Sequence, residues 1–183
     1  MRAPLVLASR SPQRRAILEQ LGVDFTVVPA DVEEETHGEP RQLVVENALR
    51  KARAVAAERV LGVDTDVVLD GRVFGKPTHE DEAETLLRRL SGRTHEVWSG
   101  IALRAGGAER TASALTRVRF RRLEDPDLRW YLRSGEWRDR AGGYAIQGRG
   151  AALVESIDGD FWNVVGLPLS ELLRLAPDLA RDG

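Results

Sequence analysis

The sequence predicts an α/β protein in which one mixed central sheet is flanked by helices, forming a single domain over residues 1–183 with two lobes around a cleft. Three observations lead there. Short apolar runs alternate with helical repeats from Leu5 onward, the pattern of crossover units whose strands pair in parallel. Hairpin signals then appear at Asp70-Gly71 and Gly106-Gly107, and hairpins pair strands antiparallel. Finally, 183 residues that are 42% hydrophobic can bury one good core or two small lobes, and no repeat, low-complexity stretch or linker divides them.

The elements follow in order. Leu5 to Ala8 reads as a buried strand. Ser11 is a good N-cap and Pro12 suits the first helical position, while Ile17, Leu18 and Leu21 form an apolar stripe that Gly22 ends. Phe25 to Val28 is a second strand, followed by the acidic loop DVEEETHGEP. Pro40 opens a helix to about Arg59, with Leu43, Val44, Asn47, Ala48, Lys51, Ala52 and Val55 on one face. Val60 to Val63 is a third strand that ends in Asp64-Thr65-Asp66, and Val67–Leu69 with Val73-Phe74 flank the first hairpin turn. Thr78 caps a helix to about Leu90, with Asp81 returning the interaction. Glu96–Leu103 and Glu109–Arg121 make the second strand pair. A helix from Asp125 or Pro126 reaches Ser134-Gly135, short strands alternate with glycines, and Pro168 starts a last helix over Leu169 to Leu175.

Composition excludes several classes. No apolar run approaches the roughly 18 residues that span a bilayer, and MRAPLVLASRSP is broken too early by Arg and Pro for a secretion signal. With no cysteine there is neither a disulfide nor a thiolate metal site. A cytoplasmic location is the expectation. A net charge of −2 gives no general attraction to nucleic acid. Arg117, Arg119 and Arg121 alternate along one strand face, and a solvated sheet edge accounts for them more simply than RNA or DNA. No GxxxxGK[ST] phosphate loop and no nucleophile elbow is present. His37, His79 and His95 stand isolated, with His95 read as a hydrogen-bonded turn residue.

What remains points to anions. The strand-to-helix turn ASRSPQRR offers the Ser9 and Ser11 hydroxyls, free backbone N–H groups and a helix N terminus. Arg14 and Arg15 there oppose the helix dipole unless a phosphate lies between them. A capped helix with arginines in solvent is the plainer alternative. Asp64 closes an apolar strand, where a carboxylate needs a cation, and Asp66 lies on the same face. Hard divalent metals bridged to phosphates are one such cation. The run Glu33-Glu34-Glu35 offers a second ligand, although acidic runs are more often solvated loops. Of 27 cationic residues all but Lys51 and Lys76 are arginine. A lysine is not replaceable by arginine where a compact ammonium must meet a phosphate. Lys51 sits on the buried-looking helix face and Lys76 in a Gly-Lys-Pro turn.

The segments LASRSPQRRAILEQLG, ENALRKARAVA, LGVDTDVVLDG, FGKP, LSGRTHEVWSGIAL, YLRSGEW, AGGYAIQGRGA and VVGLPLSELL resemble, in order, the Maf family of nucleoside triphosphate pyrophosphatases. The resemblance runs from Leu5 to about Leu175. It implies an elongated fold similar to inosine triphosphate pyrophosphatases, hydrolysis of a nucleoside triphosphate to monophosphate and pyrophosphate, dependence on Mg²⁺ or Mn²⁺, and a homodimer. By the same resemblance Asp64 looks like the proton acceptor, with holding the metal as its alternative role, and Asp64 and Glu34 are the candidate metal ligands. Ser9, Arg14, Glu34, Lys51 and Lys76 belong to the phosphate site. Thr65 and Gln147 resemble the subgroup acting on dTTP and UTP, whereas the 7-methyl-GTP subgroup tends to carry Gln and Glu there. Gln13 departs from the Arg of the pyrimidine type and the Trp of the methyl-GTP type, and Arg140 replaces the Lys of the family's DKAG. Broader or methylated-nucleotide specificity, and a division-arrest protein acting chiefly by binding, are the alternatives.

Overall fold

A computed structural model describes residues 3–180. Its sheet grows from two N-terminal crossover units. Strand β1 (Leu5–Leu7) is followed by helix α1 (Pro12–Gln20) and β2 (Phe25–Val27), then by α2 (Pro40–Ala54) and β3 (Arg59–Leu69). Because helices carry the chain back across the sheet, β1 pairs in parallel with both β2 and β3. Later pairings are antiparallel. β4 (Arg72–Phe74) folds back on β3, and β5 (Thr94–Ala105), β6 (Ala108–Phe120) and β7 (Val154–Asp158) follow as a meander. The order is β2-β1-β3-β5-β6-β7, with β4 on β3 beyond the end of β1. The mixed, helix-flanked sheet read from the sequence is the one that forms. Asp70 and Gly71 take φ of 53° and 73° in the tight turn between β3 and β4.

Alternation along β3 sorts its two faces. Leu61 and Val63 pack with Leu5, Leu7, Ile17 and, from α6 (Leu169–Leu175), Leu172. Val60 faces Ala48, Ala52 and Val55 on the α2 side, and so Gly62 and Asp64 also turn toward α2. Farther along, Val67 and Leu69 join Leu87 and Leu90 of α3 (Glu80–Leu90) and Leu128 and Tyr131 of α4 (Asp125–Leu132) in a further cluster.

Two glycines set how closely α2 approaches the sheet. A Cβ on Gly62 would lie 2.8 Å from the Ala52 amide nitrogen, and one on Gly100 would lie 2.6 Å from that of Val45. Both would press closer still on the Ala48 and Val44 carbonyl oxygens. Without those carbons α2 rests directly on β3 and β5, where Asp64 and Gly100 are cross-strand partners.

Several expectations are corrected. The third strand does not end at Val63: β3 pairs with β5 from Arg59 to Val68, which puts Asp64 mid-strand. Helix α2 stops at Ala54, where a buried Val55 turns extended (φ −100°, ψ 121°) and its carbonyl accepts from Arg104 Nη2. Thr78 is not the cap of α3. His79 holds that position, and the Thr78 N–H and hydroxyl both donate to Glu82, not Asp81. The glycine-rich segment holds only one strand, β7, preceded by 3-10 turns at Ala141–Gly143 and Arg149–Leu153 and followed by an unforeseen helix α5 (Phe161–Val165). His95 is no turn residue: it is buried within β5, with Nε2 2.8 Å from the Tyr144 hydroxyl, and burial lowers its pKa to about 4. No helix among the described residues is long and apolar enough to cross a membrane.

Candidate active site

The site forms where β1 stops and β3 continues. Ala8 N–H donates to the Leu61 carbonyl, after which the chain leaves the sheet and enters α1, so the edge of β3 is open from Val63 until β4 takes it up at Val67. The Val63 carbonyl there accepts from Arg14 Nη1 at 3.0 Å and lies 3.4 Å from Lys51 Nζ. One cation arrives from the α1 face and the other from the α2 face.

Arg14 is buried and fixed. Nε donates to the Gly166 carbonyl (2.8 Å), Nη1 also to Ser9 Oγ (3.0 Å), and Nη2 to Thr65 Oγ1 (3.1 Å). Four of its five N–H groups are thus committed to neutral acceptors. Burial lowers its pKa, opposed by Asp64, Glu34 and Asp66. Ser9 Oγ also accepts from the Ser11 N–H (3.2 Å), and Ser11 Oγ caps α1 through the Arg14 N–H. Arg15 takes no part, being exposed and paired with Glu19 one turn on.

On the other face Lys51 Nζ lies 2.7 Å from Asp64 Oδ1 and 2.8 Å from Glu34 Oε1. The lysine and Asp64 side chains are 10% and 7% exposed against 49% for Glu34, so the pair is buried and Glu34 is its wet third member. Asp64 Oδ2 accepts from Asn47 Nδ2 at 3.0 Å. The same amide group donates to the Glu35 carbonyl and accepts from the Glu35 N–H, which straps the acidic loop to α2. Buried carboxylates require such partners.

Three carboxylates, Asp64, Glu34 and Asp66, crowd one another here. Asp66 is raised to about 7 by burial, then by repulsion from Asp64 and Glu34. Among the described residues no group of three or more His, Cys, Asp or Glu could hold a metal unaided. Asp64 and Glu34 supply hard oxygen donors, which fits a divalent ion that takes its remaining ligands from water and phosphates.

Two hollows meet at this junction. A groove of about 480 Å³ runs past Ser9, Arg10, Glu34, Lys51 and Lys76. A slot of about 60 Å³ is walled by Val67, Val97, Tyr144, Val164 and Val165 and edged by Gln13, Thr65, Arg140 and Gln147. Ser11, Arg14, Lys76 and Asp139 line both. Lys76 is an exposed lysine whose pKa is lowered by desolvation, then by Arg14 and Lys51, and among the described residues no carboxylate forms an ion pair with it. The wide, cation-lined groove suits a polyanion, and the narrow, apolar-walled slot suits a planar ring.

Residues 4–179 match the Maf family, described as Maf-like protein. The chain belongs to the Maf family. It is 49% identical to the dTTP/UTP pyrophosphatase of Symbiobacterium thermophilum over 93% of this chain and 91% of that one. The proteins of the same name from Anaeromyxobacter dehalogenans and Thermococcus gammatolerans are 50% and 47% identical, over 93% of this chain and 91% and 94% of theirs. Among solved structures, the Staphylococcus aureus Ham1 protein aligns with 64% of this chain and 71% of its own at 18% identity and a TM-score of 0.46, a likeness too distant to argue from.

In this Maf protein the expected residues gather at one junction. Ser9, Arg14, Glu34, Lys51 and Lys76 line the groove, and Gln13, Thr65 and Gln147 line the slot. Asp64 is in neither wall: it sits 5% exposed behind Lys51. Sequence reasoning missed Asn47 as a site residue, although an amide one turn before Lys51 on a buried helix face was the available signal. It also left Asp139 and Arg140 unplaced, since only the fold brings them to Gln13. Arg117, Arg119 and Arg121 pair with Glu96, Glu155 and Asp127, but they do not mark a sheet edge as expected: β6 lies between β5 and β7, and Arg117 and Arg119 stand on its solvated face.

Proposed function

We propose that this chain hydrolyses dTTP or UTP to the monophosphate and pyrophosphate, with Asp64 as proton acceptor. The observation that carries the reading is the buried Asp64–Lys51 pair backing a groove that Arg14 and Lys76 line with positive charge. The relatives named above support the substrate class.

Water attacks the α-phosphorus, and the bond to the bridging oxygen breaks with its electron pair leaving on pyrophosphate. Asp64 takes the proton from that water. Lys51 and Asn47 each occupy one lone-pair direction of its oxygens, leaving the others for the nucleophile. All three donors of Lys51 face Asp64, Glu34 and the Val63 carbonyl, so a phosphate reaching Lys51 displaces the exposed Glu34. Lys76 and the one uncommitted N–H of Arg14 stabilise charge on the leaving group, an effect that grows as water is excluded. Mg²⁺ or Mn²⁺, held by Asp64 and the released Glu34, would supply charge that polarises the attacked phosphate and stabilises the leaving pyrophosphate. Thr65, hydrogen-bonded to Arg14 and Ser99, ties the slot to the phosphate site. A single functional domain over residues 1–183, a homodimer and a cytoplasmic location are part of the proposal, and family membership supports them.

The test is release of pyrophosphate from dTTP and UTP with Mg²⁺ or Mn²⁺, beside 7-methyl-GTP and other triphosphates. Removing a positioned base typically lowers turnover by roughly 10²–10⁴, and Asp64→Asn is expected to do so while remaining folded. No metal-dependent release above Asp64→Asn across the panel would overturn the proposal in favour of a protein that acts by binding.

A further inference from the structure

The slot carries a second guanidinium that the phosphate chemistry does not use. Arg140 is half-buried on the slot's edge, and its Nε donates to the Glu136 carbonyl at 2.9 Å. Among the described residues no carboxylate forms an ion pair with it, and burial lowers its pKa. The Gln13 amide faces it across the slot. With its oxygen turned toward the guanidinium, Gln13 accepts from Arg140 Nη1 and Nη2 at 2.6 and 2.8 Å, and its NH₂ donates to Ser11 Oγ at 2.8 Å. The opposite orientation would set an NH₂ group against two guanidinium donors, so the amide's direction is determined.

This arrangement has a definite polarity. The Gln13 oxygen is filled by two donors, and Arg140 has lost three of its five N–H groups to Gln13 and Glu136. One N–H remains on each of Nη1 and Nη2, and one on the Gln13 amide. The pair therefore offers the slot donors only. Resting on the proposed reaction, we infer that Arg140, held in place by Gln13, reads the base by donating to ring carbonyl oxygens. A keto pyrimidine is accepted, and one with an exocyclic amino group in that position meets donor against donor. Arg140 is thus a binding residue and Gln13 a positioning residue. The contact joins positions 127 residues apart and links the first turn of α1, which holds Arg14, to the turn before Ala141–Gly143.

The experiment compares kcat/KM for UTP and CTP, which differ at C4 by a carbonyl against an amino group and at the adjacent N3, which carries a hydrogen only in uracil. The wild type is expected to favour UTP. A hydrogen bond from a charged donor corresponds to roughly 10–100-fold, so Arg140→Met should reduce the UTP:CTP ratio by about that factor, mainly through KM. Gln13→Leu should reduce the ratio by less, and Gln13→Glu, which keeps an oxygen facing Arg140, should restore it. An unchanged ratio in folded Arg140→Met overturns the inference while leaving the hydrolytic function intact. If Arg140→Met does not fold, Arg140→Lys decides, because one ammonium cannot replace two spread donors: a reduced ratio supports the reader and an unchanged one refutes it. Calorimetric binding of UMP and CMP reads the same preference without turnover. A UMP preference abolished by the Arg140 variant upholds the reader even if no triphosphate is hydrolysed. Equal binding of UMP and CMP by the wild type overturns it even if UTP is hydrolysed.

Discussion

Gly100→Ala tests how the site is assembled without altering any group that does chemistry. The new Cβ would lie 2.6 Å from the Val45 amide nitrogen and closer to the Val44 carbonyl, both of them backbone and unable to rotate away. Restoring ordinary contact needs α2 to rise by about 1 Å. Overpacking of this kind costs about 1–3 kcal/mol, and for a chain of 183 residues each kcal/mol is worth roughly 2–4 °C in Tm. A Tm lower by about 2–12 °C is expected. The larger effect falls on function. Asn47 and Lys51 ride on α2 while Asp64 is fixed in β3, so the shift opens contacts now at 3.0 and 2.7 Å. A 1 Å misplacement of a positioning group can lower turnover by about 10²-fold. Thermal unfolding and pyrophosphate release, the latter measured well below Tm, give both numbers. A variant with wild-type Tm and wild-type turnover would refute the view that glycine contact sets the position of Lys51.

Two further predictions concern charge. Lys51→Met leaves Asp64 buried with only Asn47, and urea unfolding should show a loss of roughly 3–5 kcal/mol. Lys51→Arg keeps the charge yet should lower turnover at least about tenfold, because a planar fork cannot serve three acceptors that converge on one nitrogen; full activity would mean any cation suffices. Asp66, raised from 3.8 to about 7, holds a proton in the folded state that the unfolded chain has lost. Its contribution is present below pH 3.8 and declines as pH rises through 7, by at most roughly 4 kcal/mol. Asp66→Asn should therefore raise Tm more at pH 8 than at pH 4, and equal shifts at both would contradict the assignment.

The sequence made the periodic parts readable because local pattern decides them. Pro12 and Ser11 place the start of α1, the six-residue buried face of α2 places Lys51 inward, and Asp70-Gly71 places the tight turn. Arg14 and Arg15 were separable in principle: Arg14 shares a face with buried Ile17 and Leu18, and Arg15 is one turn from Glu19. The continuity of β3 through Asp64 was not legible, since a carboxylate mid-strand is tolerable only with Lys51 and Asn47 from a distant helix. Residues 141–153 have no period to read, because their 3-10 turns are set by packing. The Gln13–Arg140 contact is long-range, and nothing local announces it.

Hydrolysis of UTP in ¹⁸O-labelled water, followed by mass analysis of both products, bears most directly on the claim that this junction directs water to the α-phosphorus. Label in the monophosphate and none in the pyrophosphate, at a rate that Asp64→Asn reduces by at least about 10², is the outcome predicted. Label in the pyrophosphate, or release of orthophosphate instead, would contradict it.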